Sequence, residues 1–164
     1  MGIEIERKFL VQGEAWRAAE AQSERLCQAY LSRDPARTVR VRIAGDQAWL
    51  TIKGQALGKF QGESSGISRA EFEYPIPLAD AQQLLALADG PAIDKIRHRI
   101  RHAGMTWEVD EFLGDNAGLV VAEIELASEG QSFEAPPWLG AEVSSDARYF
   151  NSALSRLPYR HWTR

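Results

Sequence analysis

The stretch Glu4-Ile5-Glu6-Arg7-Lys8-Phe9-Leu10-Val11 alternates charged and apolar side chains near the start of the chain. Successive side chains of a β-strand point to opposite faces, so Glu4, Glu6 and Lys8 share one face and the apolar residues share the other. Two carboxylates and an ammonium group make a poor hydrophobic core. They are better suited to hold a metal ion together with an anionic ligand of that metal.

The same period of two recurs along the chain and predicts eight strands. They cover about residues 2–11, 26–33, 37–44, 47–53, 69–76, 93–101, 105–112 and 119–127. Short connections at Arg33-Asp34-Pro35, Gly45-Asp46 and Ala103-Gly104 favour hairpins between neighbouring strands. The sequence therefore predicts a mainly antiparallel β fold.

Helical spacing of apolar residues predicts three helices, at about residues 13–24, 78–89 and 146–156. The segment from Gly54 to Gly66 is rich in Gly, Ser and Gln, and it is predicted to be a long loop. A chain of 164 residues is long enough for one substantial core. We therefore expect residues 1–164 to form a single domain.

The overall composition narrows the class of function. A chain that is 45% hydrophobic and 26% charged has the composition of an ordinary globular protein. Its net charge of −4 argues against attraction of nucleic acid or an anionic membrane by the overall field. Cys27 is the only cysteine, which is compatible with a reducing compartment, and no export or membrane-spanning segment is evident. We expect a cytoplasmic monomer or homodimer that binds neither nucleic acid nor membrane.

Charged residues continue on one face of the later predicted strands. The acids on this face are Glu4, Glu6, Glu71, Glu73, Glu108, Asp110, Glu123 and Glu125, and the bases are Lys8, Arg40, Arg42, Lys53, Arg69, Lys95, Arg97, Arg99 and Arg101. One interpretation is a sheet with a solvated charged face and an apolar face on the core. In the other, eight antiparallel strands close into a barrel that encloses the charged face, and helices cover the apolar exterior.

The near-pure charge of these positions, sorted into acid-rich and base-rich strands, favours the barrel. Like charges enclosed in a tunnel are costly, so both groups would need counter-charges. A polyphosphate with a divalent metal supplies both at once. Carboxylates suit Mg²⁺ or Mn²⁺, while Arg and Lys side chains bind phosphate oxygens.

An ordered series of short motifs resembles the CYTH superfamily, the triphosphate tunnel metalloenzymes. The segment Glu4-Ile5-Glu6-Arg7-Lys8 is similar to the ExExK signature of that family. Later segments resemble its short bacterial members: Thr38-Val39-Arg40-Val41-Arg42, Thr51-Ile52-Lys53, Glu71-Phe72-Glu73-Tyr74, Asp94-Lys95-Ile96-Arg97, Trp107-Glu108-Val109-Asp110, Ala122-Glu123-Ile124-Glu125 and Arg148-Tyr149-Phe150-Asn151. The series spans nearly the whole chain, so it is far more specific than the first motif alone.

The resemblance implies an α+β fold in which an eight-stranded antiparallel tunnel binds triphosphate with Mg²⁺ or Mn²⁺. By position, the metal ligands would be Glu4, Glu6, Asp110, Glu123 and Glu125, and the phosphate ligands would be Lys8, Arg40, Arg42, Lys53, Arg69 and Arg97. Lys95 matches a lysine near the reacting phosphoryl group. Tyr30 matches a tyrosine that acts as a proton acceptor, although tyrosine is also common in strands for packing reasons alone. The last helix would pack on the tunnel or close it.

These observations predict a metal-dependent triphosphatase that hydrolyses inorganic tripolyphosphate to pyrophosphate and phosphate. The alternatives are a thiamine or other organic triphosphatase, an activity like that of class IV adenylate cyclases, and a non-catalytic module that binds polyphosphate. No nucleoside pocket is evident in the sequence, which favours the inorganic substrate. The full acidic set favours an enzyme over a binding module. The roles of Arg99, Arg101 and Arg148 are left open.

Overall fold

The computed structural model describes residues 2–55 and 67–163. Within them the strands are β1 (Gly2–Val11), β2 (Ala21–Ser32), β3 (Arg37–Ala44), β4 (Gln47–Gly54), β5 (Ile67–Ile76), β6 (Ile93–His102), β7 (Met105–Phe112), β8 (Val120–Glu125) and β9 (Leu139–Glu142). The α-helices are α1 (Leu78–Ala86) and α2 (Asn151–Leu154), and single 3₁₀ turns lie at Ala15–Ala18, Gly114–Asn116, Ala147–Tyr149 and Tyr159–His161. The eight predicted strands are confirmed.

Eight antiparallel strands close into a barrel. The strand order is β5-β4-β3-β2-β6-β7-β8-β1, and a further pairing of β1 with β5 joins the two ends. Strand β1 achieves this by dividing its length between partners. Its first half pairs with β5, from Gly2 opposite Glu71 onward, and its second half pairs with β8, from Glu6 opposite Glu125 onward. The predicted barrel is therefore confirmed.

The ninth strand, β9, was not predicted. Within the described part of the chain it pairs only with the end of β1, where Phe9 lies opposite Glu142 and Val11 lies opposite Leu139. A strand of four residues that follows two prolines is too short to show alternation in the sequence. The backbones of β9 and β1 approach closely at Gly140, where an added Cβ would lie 2.9 Å from the carbonyl oxygen of Leu10.

Apolar side chains on the outside of the barrel are covered by the segments between strands. Trp107 and Ile124 are fully buried on the outer face, under Trp16 and Trp138 from two connections. Helix α1 covers another part of the wall, where its Ala81 packs with Val41. Because the apolar face is buried outside, the alternating charged face must point into the barrel.

At one end of the barrel the enclosed side chains become apolar. Leu154 of α2 is fully buried there and packs with Ile93, Phe112 and Val121 from three neighbouring strands. Tyr30 belongs to the same cluster. The C-terminal segment is thereby fixed to the barrel by a hydrophobic contact.

The three helix predictions have different outcomes. The helix predicted at 78–89 is confirmed as α1. The helix predicted at 13–24 is wrong, because β2 already begins at Ala21 and pairs with β6 from there, leaving one 3₁₀ turn at Ala15–Ala18. The helix predicted at 146–156 is shortened to α2, since Phe150 adopts an extended conformation with φ −69° and ψ 135°.

Most of the predicted loop from Gly54 to Gly66 lies outside the described residues, because the described part of the chain stops at residue 55 and resumes at 67. In the parts that are described, no helix is long and apolar enough to cross a membrane.

Candidate active site

The barrel contains a cavity of about 300 Å³ whose walls are mostly charged. The predicted site residues that line it are Glu4, Glu6, Lys8, Tyr30, Arg40, Arg42, Lys53, Arg69, Lys95, Arg97, Glu123 and Glu125. Asp110 is the one predicted site residue that does not line the cavity. Residues from seven different strands are therefore brought to one space by strand alternation and barrel closure.

The carboxylates are concentrated on three adjacent strands, β7, β8 and β1. We call these residues the acidic arc: Glu4, Glu6, Glu108, Glu123 and Glu125. The strand register places Glu6 directly opposite Glu125 and Glu108 directly opposite Glu123. Like charges in directly opposed positions of a sheet are destabilising, so this arrangement calls for a cation.

The pKa values of the acidic arc also indicate that a cation belongs at this side of the cavity. Burial, with the charges of Glu123 and Glu4 adding to it, raises the pKa of Glu6 to about 7. Burial also raises the pKa of Glu4 and of Glu125 above the usual value for glutamate. A divalent cation would favour the ionised form of all these carboxylates.

Nearby cations compensate the charge of Glu123. The Nζ atom of Lys8 lies 3.4 Å from Oε1 of Glu123. Burial acts to raise the pKa of Glu123, but the positive charges of Lys8 and Arg97 outweigh it and lower this pKa to about 2. Glu123 is therefore ionised at neutral pH and can serve as a metal ligand without first losing a proton.

The carboxylates suit a hard cation such as Mg²⁺ or Mn²⁺ by their chemistry. Within residues 2–55 and 67–163, however, no three carboxylate, imidazole or thiol groups converge to form a complete metal site. Mg²⁺ commonly takes only one or two protein carboxylates and completes its shell with water and substrate phosphate oxygens. The acidic arc fits this second type of site.

The opposite side of the cavity is basic. We call these residues the basic arc: Arg40, Arg42, Lys53, Arg69, Lys95 and Arg97. Arg40 and Arg69 each have a buried Nε–H group without an acceptor among the described residues. Buried donors are nearly always satisfied in native proteins, so these two groups indicate that an anion belongs in the cavity.

Arg42 is held by a neutral partner. Its Nε atom donates to Oε1 of Gln28 at 2.9 Å. Burial, together with the charges of Arg40 and Arg97, lowers the pKa of Arg42 to about 9. Its positive charge is therefore incompletely compensated by the protein, which favours binding of an anionic ligand.

Asp110 lies behind the basic arc. Lys95 Nζ donates to its Oδ2 at 2.8 Å, and Arg97 Nε donates to its Oδ1 at 2.8 Å. Burial acts to raise the pKa of Asp110, but the charges of Arg97 and Lys95 lower it far below the usual range. This geometry differs from the predicted role of Asp110 as a metal ligand, because both oxygens are already bound to cations. It supports a role in orienting Lys95 and Arg97.

Lys95 is the most deeply buried cation of the cavity, with 1% of its surface exposed. Burial lowers its pKa to about 7. The positive charges of Arg97 and Arg42 also lower this pKa, whereas the negative charge of Asp110 acts to raise it. Two N–H groups of its ammonium are used, one on Asp110 and one on Oδ1 of Asn151 at 2.9 Å. A third N–H remains for a phosphate oxygen.

Several lining residues were not predicted as site residues. They are Thr38, Thr51, Glu71, Glu73, Arg99, Glu108, Phe150, Asn151 and Ser152. The two threonines share the strand parity of Arg40 and Lys53, so alternation could have identified them. Arg101 lies outside the lining and donates to Thr106 Oγ1 at the adjacent hairpin.

A second cavity of about 540 Å³ adjoins the tunnel and is lined mainly by apolar surface. It shares Thr38, Arg69, Phe150 and Ser152 with the tunnel. Its remaining lining residues include Arg33, Ala153, Arg156, Leu157 and Trp162, and also Arg148, which pairs with Asp146 at 2.7 Å. The sequence did not reveal this cavity because the C-terminal segment forms it together with residues of the β2–β3 connection and of strands β3 and β5.

The sequence profile of the CYTH domain matches residues 2–155. The chain belongs to the CYTH domain family. An inorganic triphosphatase of Acetivibrio thermocellus is 45% identical over 163 residues, which is 99% of each chain. An inorganic triphosphatase of Nitrosomonas europaea is 33% identical over 157 residues, which is 93% of this chain and 96% of that protein.

A solved structure agrees with these relationships. The crystal structure of the inorganic triphosphatase NE1496 superposes with a TM-score of 0.65 and 32% identity, and it covers 93% of this chain and 97% of its own. CYTH triphosphatases generally depend on a metal ion, in keeping with the acidic arc of this CYTH domain.

Proposed function

We propose that this CYTH protein hydrolyses inorganic triphosphate to pyrophosphate and phosphate inside its charged tunnel. The observation that carries the proposal is a cavity inside the closed barrel, in which crowded carboxylates face arginines with buried Nε–H groups that lack acceptors among the described residues. A triphosphate bound with a divalent cation satisfies both walls at once. The inorganic triphosphatases among its relatives support this choice of substrate.

The basic arc would hold the phosphates. With Nε bound to Gln28, Arg42 keeps four N–H groups on its two terminal nitrogens for phosphate oxygens. Arg40 and Arg69 would bring their unpaired donors to the same ligand, and Lys8 and Lys53 would contact it from β1 and β4. Lys53 is already bound to Glu4 at 2.8 Å, so it links the two arcs.

The acidic arc would hold the cation, which we propose to be Mg²⁺ or Mn²⁺. Glu123 is the best placed ligand because it is ionised at neutral pH, and Glu4, Glu6 and Glu125 are the other proposed ligands. When bound, the cation would neutralise phosphate charge and lower the pKa of a water molecule that attacks in line. Asp110 would act from behind by fixing Lys95 and Arg97.

Two residues are proposed to act at the reacting phosphoryl group. Lys95 would donate its remaining N–H to the phosphate oxygens on which negative charge increases during cleavage. Tyr30 lines the same end of the cavity, and its role as a proton acceptor stays a prediction. The C-terminal segment, fixed by Leu154, is proposed to close this end. A cytoplasmic monomer or homodimer also remains a prediction.

Replacing Glu123 by Gln tests the proposal with minimal change in shape. We expect at least a ~100-fold loss of kcat/KM for tripolyphosphate with Mg²⁺ or Mn²⁺, because an ionised metal ligand is removed. Phosphate release gives the rate, and far-ultraviolet circular dichroism checks that the variant is folded.

Glu134→Gln is the matched control, since Glu134 is exposed and lies outside the cavity. If Glu123→Gln retained the rate of this control, Glu123 would have no part in the mechanism. If the unmodified protein bound tripolyphosphate without hydrolysing it under any metal condition, the protein would be a binding module.

The apolar cavity beside the tunnel supports a second candidate, hydrolysis of an organic triphosphate. An organic group attached to a triphosphate in the tunnel could lie against Phe150 and Trp162, with Arg33 and Arg156 nearby. Aromatic rings and guanidinium groups both stack well on flat organic ligands. The cavity thus supplies a space that inorganic triphosphate does not need.

Ala153→Trp separates the two candidates because Ala153 lines the apolar cavity and not the tunnel. If organic triphosphates use this cavity, the added indole should reduce kcat/KM for ATP or thiamine triphosphate by about tenfold or more while leaving tripolyphosphate hydrolysis unchanged. The ratio of the two kcat/KM values is the measurement. An unchanged ratio would show that the apolar cavity plays no part in substrate selection.

A further inference from the structure

We propose that Gln28 and Asn151 form an amide relay that positions Arg42 and Lys95 for the phosphate chain. Neither amide was identified from the sequence as part of the site. The inference rests on the proposed function, because the relay is useful only if the basic arc binds phosphate. It assigns both residues as positioning residues of the triphosphatase site.

The relay consists of three hydrogen bonds in series. Arg42 Nε donates to Gln28 Oε1 at 2.9 Å, and Gln28 Nε2 donates to Asn151 Oδ1 at 3.0 Å. The same Oδ1 atom accepts from Lys95 Nζ at 2.9 Å. Both oxygens and the linking amide nitrogen are thus occupied. The amides hold Arg42 through a neutral group and give Lys95 a neutral partner in addition to Asp110.

Neutral partners have a specific advantage at this place. A carboxylate beside Arg42 would cancel the positive charge that a phosphate needs, whereas an amide oxygen orients the guanidinium without adding net charge. Arg97 shows the contrast, because Asp110 binds it through two hydrogen bonds. Among the described residues, the hydrogen-bond partner of Arg42 is thus an amide, so its positive charge stays available to a phosphate.

Gln28 cannot act by touching the substrate. Its exposed fraction is 0%, and it is absent from the lining of the tunnel. Any effect of this side chain on substrate must pass through Arg42 or Asn151. This separates it from Arg42 itself, which lines the cavity.

Asn151 connects the relay to the C-terminal segment. It is the first residue of α2, and it lies 123 positions from Gln28 in the sequence. Leu154, three residues later, is fully buried in the apolar cluster at the end of the barrel and so fixes the position of α2. The barrel end, the relay and the two cations are therefore ordered together before substrate binds, which lowers the entropic cost of binding.

Gln28→Met is the main test, because methionine has a similar length but provides neither the acceptor nor the donor. We expect KM for tripolyphosphate to rise about tenfold, with a smaller change in kcat, as one orienting hydrogen bond to a charged group is lost. Gln22→Met on the exposed part of the same strand is the matched control. Thermal unfolding shows whether the folded fraction is the same in both variants.

A second pair of variants keeps the test valid if Gln28→Met folds poorly. Asn151→Asp retains an oxygen that accepts from both Lys95 and Gln28, whereas Asn151→Leu has none. The negative charge of Asp should raise KM for tripolyphosphate, so the test is kcat: positioning of Lys95 predicts that Asp keeps kcat at least tenfold higher than Leu. If Asn151 acts only by donating its own N–H to phosphate, kcat should be the same in Asp and Leu, and the relay would be overturned.

The double variant Gln28→Met with Asn151→Leu measures the energetic coupling between the two amide side chains. Because the two side chains share one hydrogen bond, the combined rise in KM should be smaller than the product of the single rises. A wild-type KM in Gln28→Met, or fully independent effects, would contradict the proposal. If the unmodified protein did not hydrolyse tripolyphosphate, the proposed function would fail, and calorimetric binding of tripolyphosphate by the same variants would still test the relay.

Discussion

At the scale of single residues, burial disfavours the charged forms of Glu6 and Lys95, and neighbouring charges do not fully compensate it. Burial raises the pKa of Glu6 from 4.5 to about 7, so between these values the folded protein holds more protons at Glu6 than the unfolded chain. Its stability therefore falls as the pH rises from 4.5 to 7. Burial lowers the pKa of Lys95 from 10.5 to about 7, so stability rises again with pH above 7. Through these two residues, the protein without ligand is least stable near neutral pH.

Glu6→Gln should consequently stabilise the protein in the presence of a chelator at pH 7. We expect a gain of roughly 2 kcal/mol in the free energy of unfolding, or about 4–8 °C in Tm, because an uncompensated buried charge is removed. At pH 4.5 the gain should largely vanish, since Glu6 is then mostly protonated in the folded state. Equal stability of variant and unmodified protein at pH 7 would show that Glu6 is already compensated; Glu134→Gln is the control.

Residue roles could be predicted from the sequence only as far as strand parity determines them. Alternation placed Glu6, Arg42 and Lys95 on one face, and the structure shows them in one cavity. Parity does not reveal which acceptor a buried cation selects. For this reason the burial of Asp110 behind Lys95, and the part played by Gln28, emerged only from the distances between side chains.

At the scale of elements, β1 organises the site. It pairs with β5 through its first half, with β8 through its second half and with β9 near its end. The chain after β9 also holds the backbone of Lys8, whose amide donates to Ser144 Oγ at 2.9 Å and whose carbonyl accepts from Val143 N at 2.8 Å. The contact of β9 with β1 therefore supports a residue of the tunnel.

Gly140→Ala tests this contact. The added methyl group would lie 2.9 Å from the backbone oxygen of Leu10, which a flexible side chain cannot relieve by moving. We expect a loss of about 1–3 kcal/mol in the free energy of unfolding, measured by urea denaturation. In Gly130→Ala the added methyl group meets nothing within 4 Å, so this variant should unfold like the unmodified protein. Equal midpoints for the two variants would mean that β9 is not tightly packed on β1.

The two errors that concern strands, the helix predicted at 13–24 and the missed β9, share one physical cause. The apolar residues between 13 and 24 fit a helix locally, but pairing of β2 with β6, more than seventy residues away, determines their conformation. Long-range strand pairing overrides local helix preference and leaves no local signal in the sequence. The same applies to β9, which depends entirely on β1.

At the scale of the whole molecule, the barrel places most of its acidic and most of its basic side chains on different sides of the cavity. Strands β7, β8 and β1 carry most of the carboxylates, and the cations project mainly from β3 to β6 across the cavity. A net charge of −4 gives no hint of this internal separation. Alternation and the ordered motifs nevertheless predicted the closed barrel, because each strand contributes one charged and one apolar face. The apolar cavity beside the tunnel could not be predicted, since distant segments build it.

The most direct test of the account is the release of phosphate from tripolyphosphate by the unmodified protein, with Mg²⁺ or Mn²⁺ and with a chelator. We expect one phosphate and one pyrophosphate per tripolyphosphate consumed when the cation is present, and a rate at background when it is chelated. No turnover with either cation, or the same turnover with the chelator, would contradict the claim that this tunnel is a metal-dependent triphosphatase site.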